Sequence, residues 1–371
     1  MESWFSLPGL GSVALGTALL GFLSGVLGSF AVLRKQSLLG DAISHACLPG
    51  IILAFLIFAT KNPLGLMGGA MVAGAIAILA ILGISRFSRV KEDASMAIVL
   101  SVFFGAGLML LTWAQQRADS AQAGLTRFLF GQAATLMYRD AAILAFLTVV
   151  CLSLTLLFWK QLQLISFDPG FAASLGMKVK GWEVFLSLLQ VVVIVAGLEA
   201  VGVVLMSALL VAPAVAARQW TNRLGQMVFL AGIFGALSGS AGALLGNLPG
   251  LRLPTGPVIV LIVTAVVLLS LVFSPLHGLL FLWSRQRRGL QTRMVLENLA
   301  SMARGHGSIE HGHNLAMLQA CSSNPALVKN SLKELIRLGL AREVAPGLFS
   351  PTGDGILLLE SPENWQGEAT P

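Results

Sequence analysis

Between residues 10 and 282 the chain repeats one pattern: an apolar stretch, a short polar turn, then another apolar stretch. An α-helix rises about 1.5 Å per residue, so roughly twenty residues cross the ~30 Å hydrocarbon core of a bilayer. Lipid offers the backbone no water to bond, so such stretches must satisfy their own N–H and C=O groups as helices. The runs occupy residues 10–33, 37–58, 64–84, 94–113, 140–159, 184–217, 226–247 and 258–282. As one helix, the run 184–217 would reach about 51 Å, too far for a single crossing. Gly197, Glu199 and Gly202 offer a turn inside it, so it divides into two closely packed spans or re-entrant helices. The expected fold is an all-α polytopic membrane protein of about nine transmembrane helices, within a range of eight to ten.

Charge placement sets the expected topology. Hydrophobic residues make up 56% of the chain and charged ones 11%, where a soluble domain carries about 25% charged residues. Residues 1–290 hold 18 Lys and Arg against 9 Asp and Glu, a net of +9; residues 291–371 hold 6 against 8, a net of −2. The basic excess thus belongs to the membrane part, where cytoplasmic loops collect Lys and Arg; it is no sign of nucleic-acid binding. Arg34 and Lys35, then Arg86 to Lys91, Arg218 and Arg223, and Arg285 to Arg288 mark the inner side. The N-terminus is expected outside and the C-terminus inside. The first positive charge is Arg34, so the opening run reads as a first span and not as a secretory signal peptide. Cys47, Cys151 and Cys321 are scattered and suggest neither a zinc pair nor a disulfide framework.

Two polar residues stand out inside the second run, SLLGDAISHACLPGIILAFLIF. Asp41 and His45 are four apart, so both side chains leave one helix face, with Cβ atoms about 6 Å apart. A charged group inside a span is costly and needs a partner, a water-filled cavity or a cation. A carboxylate and an imidazole from one face make half of a divalent-metal site. The same residues fit a helix cap and a hydrogen-bonded boundary histidine; geometry alone leaves both open. Cys47 lies about 200° round the helix from His45 and is a poor third ligand. Glycines four apart (Gly21/Gly25, Gly65/Gly69, Gly235/Gly239, Gly242/Gly246) read as close helix packing. In the loop 160–183, Asp168 and Pro169 form a helix-start signal, cap and first position. The following FAASLGM reads as a short helix ended by Gly176, either a mere connection between spans or a stub that docks on a partner.

Several stretches together carry a resemblance. RKQSLLGDAISHACLPG, FLFGQ (128–132), FDPGFAASLGM, VGVVLMSALLVAPAVAA, PTGPVIVL and SPLHGLL resemble the membrane permease subunit of ABC-type importers for manganese, zinc or iron(II), over residues 10–285. The resemblance implies that Asp41 and His45 bind the metal in the translocation path. It implies that Asp168, Pro169, Phe171, Leu175 and Gly176 form the loop that contacts the ATPase. It also implies partners: ABC ATPase subunits, an external metal-binding solute-binding protein, and a second permease copy or sister permease. Two facing Asp/His pairs would then complete a four-residue site. The implied location is the bacterial inner membrane, with lipid around a multi-pass bundle. No cofactor is expected to stay bound; the divalent metal (Mn, Zn or Fe(II)) is cargo. No Gly-x-x-x-x-Gly-Lys-Ser/Thr loop occurs, so the chain is expected to be a transporter subunit and not itself an enzyme.

A permease domain is expected over 1–285, and a small cytoplasmic α+β domain over 286–371 ending in a short disordered tail. Residues 292–304 carry Val295, Leu296, Leu299 and Met302 on one helical face; residues 315–321 form a second helix. Residues 326–338 form a third, with Val328, Leu332, Leu335 and Ile336 inward, followed by a hairpin around Pro346–Gly347. That plan is a winged helix, and NPALVKNSLKELIRLGLAREVAPGLFSPTGDG resembles the winged-helix domain of metal-dependent repressors. The usual permease lacks such a tail. Lys329, Lys333 and Arg337 share one helix face suited to DNA phosphates. The net charge of −2 and the membrane tether instead favour a protein-interaction role. His306, Glu310, His311 and His313 offer metal-sensing ligands or a loop that binds nothing. Two other functions stay in view: a permease for siderophores or vitamin-like chelates, and a membrane-anchored, metal-responsive transcription regulator.

Overall fold

The structure is a computed structural model that describes residues 10–58, 63–116, 137–247, 254–276, 278–305, 312–322 and 325–360. FLFGQ, His277, His306, Glu310, His311 and the tail 361–371 lie outside the described residues, as does the side chain of Glu199. The chain divides into two units, Met1–Leu276 and His277–Pro371.

In the first unit the helices are α1 (Leu10–Leu33), α2 (Leu39–Phe58), α3 (Pro63–Phe87), α4 (Glu92–Gln115), α5 (Tyr138–Leu157), α6 (Trp159–Phe167), α7 (Pro169–Ser174), α8 (Val179–Val201), α9 (Val203–Trp220), α10 (Leu224–Gly246) and α11 (Thr255–Phe273). Among the described residues, eight helices are long and apolar enough to cross a membrane: α1 to α5, α8, α10 and α11. The expected division of the long apolar run is present, and it falls at Gly202. Its φ of 90° and ψ of 164° form a backbone state that L-residues avoid. Helix α8 therefore runs on through Gly197, whose bare face takes the Met206 sulfur.

Two sequence boundaries shift. The run 258–282 is not one helix: α11 stops at Phe273, and Ser274 and Pro275 separate it from the helix that begins at Leu279. A proline disfavours helical backbone at the residue before it. The Ser274 hydroxyl donates to the Gln219 carbonyl, tying the end of α11 to the end of α9. The loop 160–183 is mostly helical, built of α6, α7 and the first turn of α8.

Glycine sets the closest approaches. A Cβ on Gly21 would collide with the Gly235 carbonyl, one on Gly25 with that of Ala231, and one on Gly235 with that of Gly21. Helices α1 and α10 thus touch backbone to backbone, as small residues allow in lipid. Thr17 Oγ1 donates across the same seam to Gly239 O at 3.0 Å. Helix α2 is held in the same way against α3, where Gly50 meets Gly69. It is buried along most of its length, from Leu39 to Ala54.

In the second unit, α12 (Leu279–Gly305) is followed by β1 (His313–Asn314), α13 (Leu315–Ala320), α14 (Pro325–Arg337), β2 (Ala341–Ala345), β3 (Leu348–Pro351) and α15 (Gly353–Glu360). The strands form one antiparallel sheet in the order β1-β3-β2, with His313 opposite Phe349 and Ala341 opposite Pro351. Gly347, at φ 77°, makes the hairpin turn. The core joins Val295, Leu296 and Leu299 of α12 to Leu318, Val328, Leu332 and Leu335. Ile336, expected inward, is exposed; it lies one residue beyond the inward stripe of α14.

Candidate functional site

Helix α2 starts after a tight elbow. Lys35 takes φ 58°, and Gln36 N donates to Ala31 O at 2.9 Å. Asp41 therefore enters in the first turn of α2, where the helix dipole favours a negative charge. His45 follows one turn later. Its Nε2 lies 3.4 Å from Asp41 Oδ1, and both side chains are only partly covered. Ser207 of α9 brings its hydroxyl beside the Asp41 carboxylate. Phe104 of α4 stands edge-on to the imidazole, centroids 4.7 Å apart. His45 Nδ1 is buried with no hydrogen-bond partner.

An acid, an imidazole and a hydroxyl thus converge from α2 and α9. The set is hard-to-borderline in character and has no thiolate, which suits Mn²⁺, Fe²⁺ or Zn²⁺. Cys47 is fully buried, and its sulfur faces Gly74 of α3. Among the described residues, no three His, Cys, Asp or Glu side chains gather into a metal cluster.

A second feature lies at α7. Asp168 Oδ1 accepts from Phe171 N at 2.8 Å, with Pro169 in the first turn. Gly176, at φ 79°, ends the stub, and Met177 N donates back to Ala172 O at 3.1 Å. Ala172 is buried beneath it, while Phe171 and Leu175 are more than half exposed. The short helix and its C-cap residue thus present two exposed apolar side chains. In the second unit, Lys329, Lys333 and Arg337 all point outward from α14, with Arg337 Nη1 3.8 Å from Glu334 Oε1. His313 sits buried in β1.

Residues 7–274 match the family model described as the ABC 3 transport family. The chain belongs to the ABC 3 transport family. The zinc transport system membrane protein TroC of Treponema pallidum is 48% identical over 76% of this chain and 94% of its own length. The manganese transport system membrane protein MntC of Bacillus subtilis is 47% identical over 74% of this chain and 64% of its own. Among solved structures, PsaBC from Streptococcus pneumoniae in complex with Fab is similar at a TM-score of 0.66 and 31% identity, over 76% of this chain and 97% of that one. This ABC 3 chain is thus a multi-pass membrane permease. The family match stops at residue 274, before the second unit begins.

Sequence reasoning did not single out Ser207 or Phe104. Ser207 was visible as a lone hydroxyl in the apolar run VGVVLMSALLVAPAVAA. Its nearness to Asp41 needed the packing of α9 on α2.

Proposed function

We propose that the chain is the permease subunit of an ABC importer that carries a divalent transition-metal ion (Mn²⁺, Zn²⁺ or Fe²⁺) across the bacterial inner membrane, with its C-terminus in the cytoplasm. The observation that carries this reading is the Asp41–His45 pair, met by Ser207 from a second helix, in a chain whose relatives are named for zinc and manganese transport. Asp41 supplies anionic oxygen and His45 a neutral nitrogen. A second permease, identical or sister, presents the facing half, so the ion passes between subunits and stays exchangeable.

ATP hydrolysis belongs to a separate ATPase subunit, and a solute-binding protein delivers the ion outside. The stub from Asp168 and Pro169 through Phe171 and Leu175 to Gly176 docks into the ATPase, burying its two exposed apolar side chains. Residues 286–371 form a winged-helix domain, which the helix order and the 341–351 hairpin support. Its net charge favours a protein partner over DNA. A chelate permease would need a wide path without ligands on the ion, and the converging acid and imidazole speak against it.

The test is uptake of free ⁵⁴Mn or ⁶⁵Zn by the assembled transporter in proteoliposomes. Asp41→Ala should abolish uptake while the ATPase still co-purifies. Undiminished uptake by that variant, or uptake of a chelated ion in preference to the free one, overturns the reading.

A further inference from the structure

We propose that the ion pair between Arg34 and Glu183 is the link that carries movement of the α6–α7 stub to the metal-bearing helix α2; this rests on the permease reading above. Arg34 sits in the elbow between α1 and α2, and Glu183 one turn into α8, just past the stub. Arg34 Nη2 lies 3.0 Å from Glu183 Oε1, and the Arg34 side chain is only 7% exposed. Its Nη1 is buried without a hydrogen-bond partner, so compensation of the charge falls mainly on Glu183. Burial pulls the guanidinium pKa down, while Glu183, and then Glu92, oppose that fall.

The neighbouring contacts make the elbow a junction. Gln36 Nε2 donates to Glu92 Oε2 of α4 at 3.0 Å. Trp159, the first residue of α6, packs edge-on against Phe30 of α1, centroids 6.0 Å apart. Parting a buried pair strands a charge, so α8 and the elbow cannot slide past each other cheaply. Push the stub, and α8 moves; Glu183 then draws Arg34, and the elbow re-aims Asp41 and His45. Apolar packing alone would let the same surfaces slip. Arg34 and Glu183 are positioning residues in this scheme, touching no cargo themselves.

The test uses the full transporter with its ATPase. Arg34→Gln, Glu183→Gln and the exchanged pair Arg34→Glu/Glu183→Arg are compared in liposomes. Each single variant should lower ions imported per ATP by about tenfold, within the 5–150-fold range of typical coupling, with ATPase activity kept. The exchanged pair should recover a substantial part of the ratio. A second readout needs no cargo: the alkylation rate of Leu38→Cys, in a Cys321→Ser background, with and without ATP and vanadate. Leu38 is exposed just before α2. Nucleotide should change that rate in the intact pair and not in the single variants. If the nucleotide response is absent from the intact pair or survives its breakage, the link is wrong. Loss of assembled transporter that the exchanged pair fails to repair would reduce Arg34 and Glu183 to a structural pin. A failure of metal uptake in the intact protein, beside an intact nucleotide response, removes the cargo assignment and leaves the link standing.

Discussion

His45 presents Nε2 to Asp41 Oδ1 at 3.4 Å, one helical turn away, and Ser207 reaches the same carboxylate from α9. The Asp41 carboxylate thus stands between α2 and α9. On the proposed permease reading, a cation that takes the carboxylate would compete with both contacts, so ion binding would loosen α2 from α9.

Ser207→Ala separates holding from ligation. It removes the cross-helix contact and keeps Asp41 and His45. A hydrogen bond to a charged group contributes roughly 1.5–3 kcal/mol. The half-saturating metal concentration should shift by about tenfold while transport persists. His45→Ala should instead lose nearly all uptake, because no other imidazole lies among the described residues of α2. Initial rates of ⁵⁴Mn uptake against concentration distinguish the two.

The α1–α10 seam leaves no room for a side chain at its glycines. Gly235→Leu places a branched side chain where the Gly21 carbonyl lies. Overpacking costs about 1–3 kcal/mol, and more where backbone cannot retreat. The melting temperature of the detergent-solubilised protein should fall clearly. Gly83→Ala, with open space around its Cβ position, is the control and should leave it unchanged.

Asp168 shapes the stub, whereas Phe171 supplies its surface. Asp168→Ala removes a cap and should weaken the local helix by about 1 kcal/mol; Asp168→Asn keeps an oxygen acceptor and should behave as the unaltered chain. Phe171→Ser leaves the cap in place and removes half of the exposed apolar pair. Recovery of the ATPase with the tagged permease should drop modestly for Asp168→Ala and strongly for Phe171→Ser. Equal recovery for all three would remove the stub from the docking surface.

Local chemistry made much of this protein legible before folding. Apolar runs placed α1 to α4 within a few residues, because continuous hydrophobicity and basic loops mark span ends directly. Asp168, Pro169 and Gly176 start and stop their helix as their types require. The break after Phe273 was hidden because the apolar run resumes over Leu279 to Trp283 after the short step Ser274-Pro275-Leu276-His277-Gly278. Ser207 and the Arg34–Glu183 pair were out of reach for another reason. Their partners lie 166 and 149 positions away in the chain, and no periodicity reports such a pairing.

The second unit offers a separable prediction, since the family match ends before it. Lys329, Lys333 and Arg337 form an exposed row on α14, yet Arg337 already has Glu334 beside it, and residues 291–371 net −2. Phosphate binding needs uncompensated cations, and its strength falls steeply with salt. Full-length protein in nanodiscs should therefore retard a DNA fragment weakly at low salt and not at all near 150 mM. Lys329→Glu/Lys333→Glu should leave metal uptake intact, because neither residue belongs to the transport site. Retardation that persists at physiological salt and is lost in that double variant would establish the α14 row as a DNA-reading face. Loss of uptake in the same variant would instead show that the second unit acts on transport.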